Sequence, residues 1–258
     1  MDILRKELND IYAAQHLETE ILDSEILAAA TKRAEALAEA TGACEVITDA
    51  SCDRCYIFSG RLGMHIGIAD AASAYKTADS SDEDEIYNLI HPEDLVDKRM
   101  LEYEFFKMVD SLAPEEKTSY RAECRFRMRN RDGEYRVMHN TTRVCNLSPG
   151  GGIWLILCGY DLSADQSAAD GIDPHIVNNL TGRIISLSFG EKRKQVLSVR
   201  EKEILRLIRG GRPSKQIAAL LGISINTVNR HRQNIIGKLS VGNCVEAITA
   251  ATAMGLLD

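Results

Sequence analysis

No uninterrupted apolar run in this chain approaches the ~20 residues needed to cross a bilayer, so no membrane span is expected. The opening, Met1-Asp2-Ile3-Leu4-Arg5-Lys6-Glu7, mixes both charges and lacks the apolar core and small-residue cleavage site of a secretory signal. Cysteine is present seven times but in no regular framework, and an odd number in a chain of 258 residues points to reduced thiols. The expectation is a cytoplasmic protein, long enough for two cores.

Constellations that carry chemistry are also missing. No nucleophile has an evident base, and no metal set is complete, so the chain is not expected to be an enzyme. Cys52-x-x-Cys55 would need two more ligands to hold zinc, and His65, His91 and His139 show no second paired spacing. A buried thiol is the simpler reading of Cys55. The acidic run Ser80-Ser81-Asp82-Glu83-Asp84-Glu85 lacks the alternating ligands and glycine of an EF-hand, and reads as a solvated loop and helix start. The βα repeat and paired acids of a phosphoaspartate receiver are absent too.

What is present is a charge asymmetry. Residues 191–258 hold 12 Lys or Arg against 5 Asp or Glu, a net +7, whereas the first 190 residues carry −14. A basic module joined to an acidic one suggests a polyanion-binding domain beside a domain with another task.

The basic part has the clearest pattern. Ser198 with Glu201 three residues on forms a capping box, and Ile204, Leu205 and Ile208 follow at helical spacing. Gly210-Gly211 and Pro213 stop that helix. Ser214 is placed to cap a second, short helix through Leu221, with Ile217, Ala218 and Leu221 inward. Gly222 turns the chain, Ser224 or Asn226 caps a third helix to Leu239, and Asn243 opens a fourth through Met254. Two short helices around a glycine turn, the second amphipathic and basic, make a helix-turn-helix.

Residues 197–254 resemble the four-helix DNA-binding domain of LuxR-type (GerE-like) transcriptional regulators. The resemblance is carried by Leu197, Arg200-Glu201, Glu203, Leu205, Ile217-Ala218, Leu221-Gly222, Ser224, Thr227-Val228, His231, Lys238-Leu239 and Glu246-Ala247. It departs at Asn229, where the family often has lysine, and at Arg212-Pro213. On the third helix, Val228, Ile235 and Leu239 should face the core, which leaves Asn229, Arg230 and Gln233 for base edges in the major groove. Lys215, Thr227, Arg232 and Lys238 suit phosphates. His231 is expected to pack. Lys192-Arg193-Lys194 either reaches phosphates or is a solvated basic linker.

Residues 1–42 read as a helical region, since 2–40 contain neither glycine nor proline, with a break expected near Gln15-His16 where the apolar phase slips. Strands follow at Ala43–Thr48 and Arg54–Ser59, and Gly60–Lys76 allows no assignment. His91-Pro92-Glu93-Asp94 starts a helix. Tyr120 to Arg129 alternates apolar and charged residues without exception, so one face is buried and one wet. That places Cys124 on a core face. Asn130-Arg131-Asp132-Gly133 turns into a strand over Glu134–Cys145, and Ile153–Tyr160, with Cys158, is an apolar central strand.

This order resembles a PAS domain over residues 43–163, most closely at His91–Asp94, Tyr120–Arg129, Asp132–Arg136 and Gly159–Asp161. The reading is therefore α+β: a PAS-like antiparallel sheet domain behind an N-terminal helical region, a linker over 164–196, and an all-α helix-turn-helix domain over 197–258. Ile184–Leu187 within the linker has no assigned role. The resemblances imply a sequence-specific transcriptional regulator with double-stranded DNA, a second copy of the chain and RNA polymerase as partners. The fourth helix is the implied dimer contact. The PAS-like domain is expected to sense a signal or to mediate dimers. No cofactor or metal is predicted, and a small-molecule PAS ligand is unidentified; no flavin-adduct cysteine motif is present. The alternatives are a ligand-free dimerisation scaffold, or an enzyme fused to a DNA-binding tail.

Overall fold

Eight strands, paired antiparallel throughout, form one sheet in the order β3-β2-β1-β6-β5-β4-β7-β8. They are β1 (Cys44–Asp49), β2 (Arg54–Phe58), β3 (Tyr75–Ala78), β4 (Tyr120–Arg129), β5 (Tyr135–Leu147), β6 (Ile153–Leu162), β7 (His175–Asn178) and β8 (Ile184–Ser186). The computed structural model describes residues 3–68, 75–78, 83–167, 171–189, 196–239 and 241–257. Ahead of the sheet come α1 (Ile3–Ala13), a short 3-10 turn at Leu17–Thr19 and α2 (Ser24–Thr41). The expected break falls at His16, which adopts a left-handed φ of 53°.

The sheet's two faces have different covers. Alanines 30, 34 and 38 let α2 pack closely on Ile47, Phe58 and Leu155. The other face, with Cys44, Val46, Cys124, Phe126, Met138 and Ile156, meets α5 (Pro92–Asp110). In β4, Ala122, Cys124, Phe126 and Met128 are buried, as the alternation requires. The hairpin after it closes on Asn130, whose Oδ1 accepts from the N–H groups of Asp132 (3.0 Å) and Glu134 (2.8 Å). Gly133 takes φ 85° there, a conformation costly for any side chain. Within the stretch left without an assignment lie α3 (Gly60–Ile66) and the start of β3; α4 (Asp84–Tyr87) and α6 (Pro114–Lys117) are single turns.

Two expectations need correcting here. Segment 164–196, read as a linker, carries β7 and β8: β7 pairs with the β4 edge from Tyr120↔Asn178 to Glu123↔His175. Ile172, Ile176 and Phe189 enter the core. An unsatisfied sheet edge offers backbone partners to any chain that passes it, and this segment's scattered apolar residues sufficed to hold it there. Glu83, read as part of a solvated acidic loop, is instead 2% exposed. Lys192-Arg193-Lys194 and residues 80–82 of the acidic run lie outside the described residues.

The C-terminal unit comprises α7 (Val199–Arg209), α8 (Ser214–Leu221), α9 (Ile225–Lys238) and α10 (Cys244–Ala253). Its caps follow the expected chemistry: the Ser198–Glu201 box is closed in both directions, Ser224 Oγ accepts from Thr227 N at 3.0 Å, and Asn243 caps α10. Ser214 is the exception, because the N-cap of α8 is Pro213, and Ser214 Oγ accepts from Arg232 at 3.0 Å instead. Gly222 turns α8 into α9 at φ 65°. A buried ion pair ties the first helix to the third: Lys238 Nζ lies 2.7 Å from Glu201 Oε2, the two side chains being 13% and 4% exposed. No helix among the described residues is long and apolar enough to cross a membrane.

Two carboxylates set the pH response. Glu45, on the outer face of β1, is raised to about 7 by burial, with Arg143 opposing. Folding therefore binds a proton there, and the stability it supports is lost as pH rises from the ordinary glutamate range through 7. Glu45→Gln is expected to raise the urea midpoint at pH 8 and leave it unchanged at pH 4. Glu201 is shifted the other way: burial pushes its carboxyl up, but Lys238 and the Ser198 N–H more than offset this and hold it low. Its contribution is present at neutral pH and fades as pH falls through the lowered value. Lys238→Ala should cost about 3 kcal/mol at pH 7 and less in acid, measured by chemical denaturation.

Candidate nucleic-acid interface and interior chamber

Helix α9 divides its residues by face. Val228 and Ile235 are fully buried, and Leu239 closes the same stripe. Opposite them Asn229, Arg230 and Gln233 are exposed, Gln233 lying four residues from Asn229 and three from Arg230, the spacings that neighbour on a helix surface. Amide and guanidinium groups presented this way match the donor–acceptor edges of the major groove. The capping bond from Ser224 fixes where this face begins, and the Lys238–Glu201 pair fixes its far end.

The residues assigned to phosphates separate into two groups. Lys215 is exposed in the first turn of α8, free to extend toward a backbone. Thr227 is half-buried, its hydroxyl 2.8 Å from Ser224 Oγ. Arg232 is half-buried and donates to Ser214 Oγ. Lys238 differs from these: its ammonium is engaged inside the domain with Glu201, where it ties the third helix to the first. A lone lysine at a helix end reads as solvent-facing in a sequence, and only the fold reveals a buried carboxylate within reach. His231 packs as expected, half-buried with Nδ1 shielded.

Elsewhere, the Cys52-x-x-Cys55 pair is divided, Cys52 exposed and Cys55 buried, and all seven cysteines are unbridged. Burial pushes Cys124 up to about 12 and raises Cys158 well above the ordinary thiol value, so both remain thiols. His91 caps α5, accepting from Glu93 N at 3.3 Å. It also forms, with Glu93 and Asp94, one group whose ligand atoms lie within 4.8 Å of one another. Arg127 already neutralises both acids, with Nη2 at 2.7 Å from each, so this is an ion-pair cluster joining α5 to β4.

The sheet domain also holds a polar group that the sequence reading passed over. Lys98 and Glu102, one turn apart on α5, are paired at 2.6 Å with side chains only 1% and 4% exposed. The Tyr87 hydroxyl donates to the same Glu102 oxygen, and Tyr160 donates to Glu83. Burial raises the pKa of Glu83, and the nearby Glu102 adds to the shift. Burial works against the charge on Lys98, yet Glu102 beside it takes its pKa upward. Glu83, Tyr87 and Glu102 line a small chamber between the sheet and α5, together with Arg99, and its outer wall is Leu8 and Tyr12 of α1. The i,i+4 spacing of Lys98 and Glu102 was visible in the sequence, but that pattern is common on solvated helices.

Comparison with known proteins agrees with the C-terminal geometry. The family described as "Bacterial regulatory proteins, luxR family" (GerE) matches residues 195–251. Over 60 residues the chain is 47% identical to the uncharacterized response regulatory protein YgeK of Escherichia coli (strain K12), covering 23% of this chain and 41% of that protein. It is 45% identical over 60 residues to the regulatory protein SdiA of the same strain, covering 23% and 25%. The chain thus matches between a quarter and two fifths of these relatives' lengths. Among solved structures, a phage VqmA–DPO complex aligns over 88% of this chain and 90% of its own at 16% identity, with a TM-score of 0.29. Escherichia coli SdiA aligns over 67% and 94% at 16% identity, with a TM-score of 0.25. Superpositions this loose say nothing about ligand or arrangement. The local match rests on sequence, caps and helix order together, and residues 195–251 of this chain form a LuxR-type helix-turn-helix domain.

Proposed function

We propose that this chain is a sequence-specific, double-stranded DNA-binding transcriptional regulator of the cytoplasm, with a PAS-like sheet domain that controls or positions its helix-turn-helix domain. The observation that carries the reading is the face of α9: Asn229, Arg230 and Gln233 stand exposed while Val228 and Ile235 anchor the opposite side. In this reading those three side chains meet base edges, and Lys215, Thr227 and Arg232 meet phosphates with the helix-start N–H groups. A dimer on two related half-sites follows from the same logic, with Val245, 74% exposed on α10, at the expected contact. RNA polymerase is a partner expected of such regulators.

The sensing role draws support from the interior. A scaffold has no need of two glutamates, a lysine and two tyrosines in the middle of an apolar core, because each costs desolvation that apolar residues would avoid. The strands β7 and β8 and the segment leading out of them supply the route to the DNA-binding domain. Gln166 holds that route to β5, accepting from Val137 N (3.0 Å) and donating to Val137 O (2.9 Å), and Arg125 donates to Asp165 O at 2.7 Å. A ligand acts through this route only by favouring one arrangement of the two domains over another.

Selection of bound sequences from random DNA tests the assignment, with a recovered two-part motif as the expected result and no enrichment as the result against it. On that motif, Arg230→Ala should relax preference at one base pair, costing ~1–3 kcal/mol there, with unaltered discrimination at every position placing the readout elsewhere. Lys215→Ala should weaken all sequences alike and reduce the salt slope by about one unit in filter-binding titrations.

A further inference from the structure

Among the buried polar atoms that the fold leaves unanswered is one carboxylate oxygen of Glu102. Glu102 spends Oε1 twice, on Lys98 Nζ and on the Tyr87 hydroxyl. Its Oε2 is buried without a hydrogen-bond partner, in a residue only 3% exposed. That residue lines the interior chamber, whose remaining wall includes Leu8, Tyr12, Glu83, Phe106 and Cys158. Leaving a buried acceptor unpaired is costly, more so when it is charged, and native proteins keep few such groups without a use.

The surroundings define what would answer it. Lys98 already supplies the countercharge, so the oxygen lacks a donor rather than a cation. Glu83, on the same chamber, is buried, and its pKa is raised by that burial and by the nearby Glu102. Glu102 opposes an anion, Arg99 in the same lining opposes a cation, and either would first have to shed its water among Leu8, Phe106 and Ile156. The chamber measures ≈ 10 Å³, about one water, so anything larger enters only as a wall shifts. The wall on the outer side is α1, where Tyr12 meets Phe106 edge-on with ring centroids 5.4 Å apart. Helix α1 lies against α5 and also touches α9.

We propose that this chamber binds a small uncharged molecule that donates an N–H or O–H to Glu102 Oε2 from beneath α1. The proposal rests on the sensor reading above and names its ligand class. Because α1 bridges α5 and α9, a guest that moves it acts directly on the helix that presents Asn229, Arg230 and Gln233.

Acetamide, acetone and acetate share an outline and offer, respectively, a neutral donor, no donor and a negative charge. Titrated into the isotopically labelled 258-residue chain and followed by NMR shifts, acetamide is expected to bind about tenfold or more tightly than acetone, and acetate not at all. Glu102→Gln should invert the order, since the amide oxygen stays with Lys98 and Tyr87 and the NH2 turns to the chamber. Cys158→Met fills the chamber while keeping the ion pair, and should abolish binding of both; it carries the test if the first variant does not fold. Equal affinities, saturation by none of the three with an ordered water only at Oε2, an order unchanged in Glu102→Gln, or binding that survives Cys158→Met would each overturn the proposal. DNA binding measured on the same preparations separates the failures. Intact DNA binding without acetamide selectivity removes the ligand class alone, whereas a wild-type chain that binds no DNA removes the regulator reading itself.

Discussion

Helix α5 is enclosed by the sheet on one side and by α1 and α10 on others, and every residue from Asp94 to Glu102 is buried. A helix in that position cannot send its charges to solvent, so each must be met within the protein or be paid for in desolvation. The polar architecture of the sheet domain follows from this confinement. Arg127 reaches from β4 to Asp94 and Glu93, Lys98 closes on Glu102, and Tyr87 completes the carboxylate oxygen that Lys98 holds. Arg99 lies over the Tyr87 ring at 4.7 Å, bringing a second cation to the same place. Phe105, Phe106 and Val109 continue the helix as plain core, each worth about 1.5–3 kcal/mol of burial.

The C-terminal domain solves a smaller version of the same problem. Its third helix has to be held rigidly from one side so that the other stays bare. Val228, Ile235 and Leu239 supply the apolar grip, the Ser224 cap sets the first turn, and Lys238 reaches back to Glu201, which is itself locked in the Ser198 capping box. One glutamate thereby serves as helix cap and as anchor for a helix 37 residues away. The placement of an exposed helix face comes from supports of this kind rather than from the exposed side chains themselves.

Much of this was legible in the linear pattern because it depends on neighbours in sequence. Caps at Ser198, Ser224 and Asn243, the glycine turn at 222, the alternation of β4 and the Asn130–Gly133 hairpin are local devices, each satisfied within a few residues. The face bearing Asn229, Arg230 and Gln233 was readable for the same reason, since a helical period alone separates it from Val228 and Ile235. Glu83 was misread as solvated, and the Lys238–Glu201 pair went unseen, because the partners in each case stand far apart in sequence, 77 and 37 residues. The run from 164 to 196 looked like a tether because its strands are only four and three residues long, and they exist by virtue of the β4 edge beside them.

By itself, then, the sequence determined two modules of opposite charge, the helix-turn-helix and its reading face, and an antiparallel sheet with helices, because period, capping and charge sign are properties of short stretches. Tertiary structure alone decided which charges are hidden, where the chamber with its open Glu102 oxygen lies, and that the connecting segment becomes part of the sheet. Those outcomes depend on which distant groups the fold brings together, because a hydrogen bond needs contact within about 3.5 Å and an ion pair weakens as its charges separate.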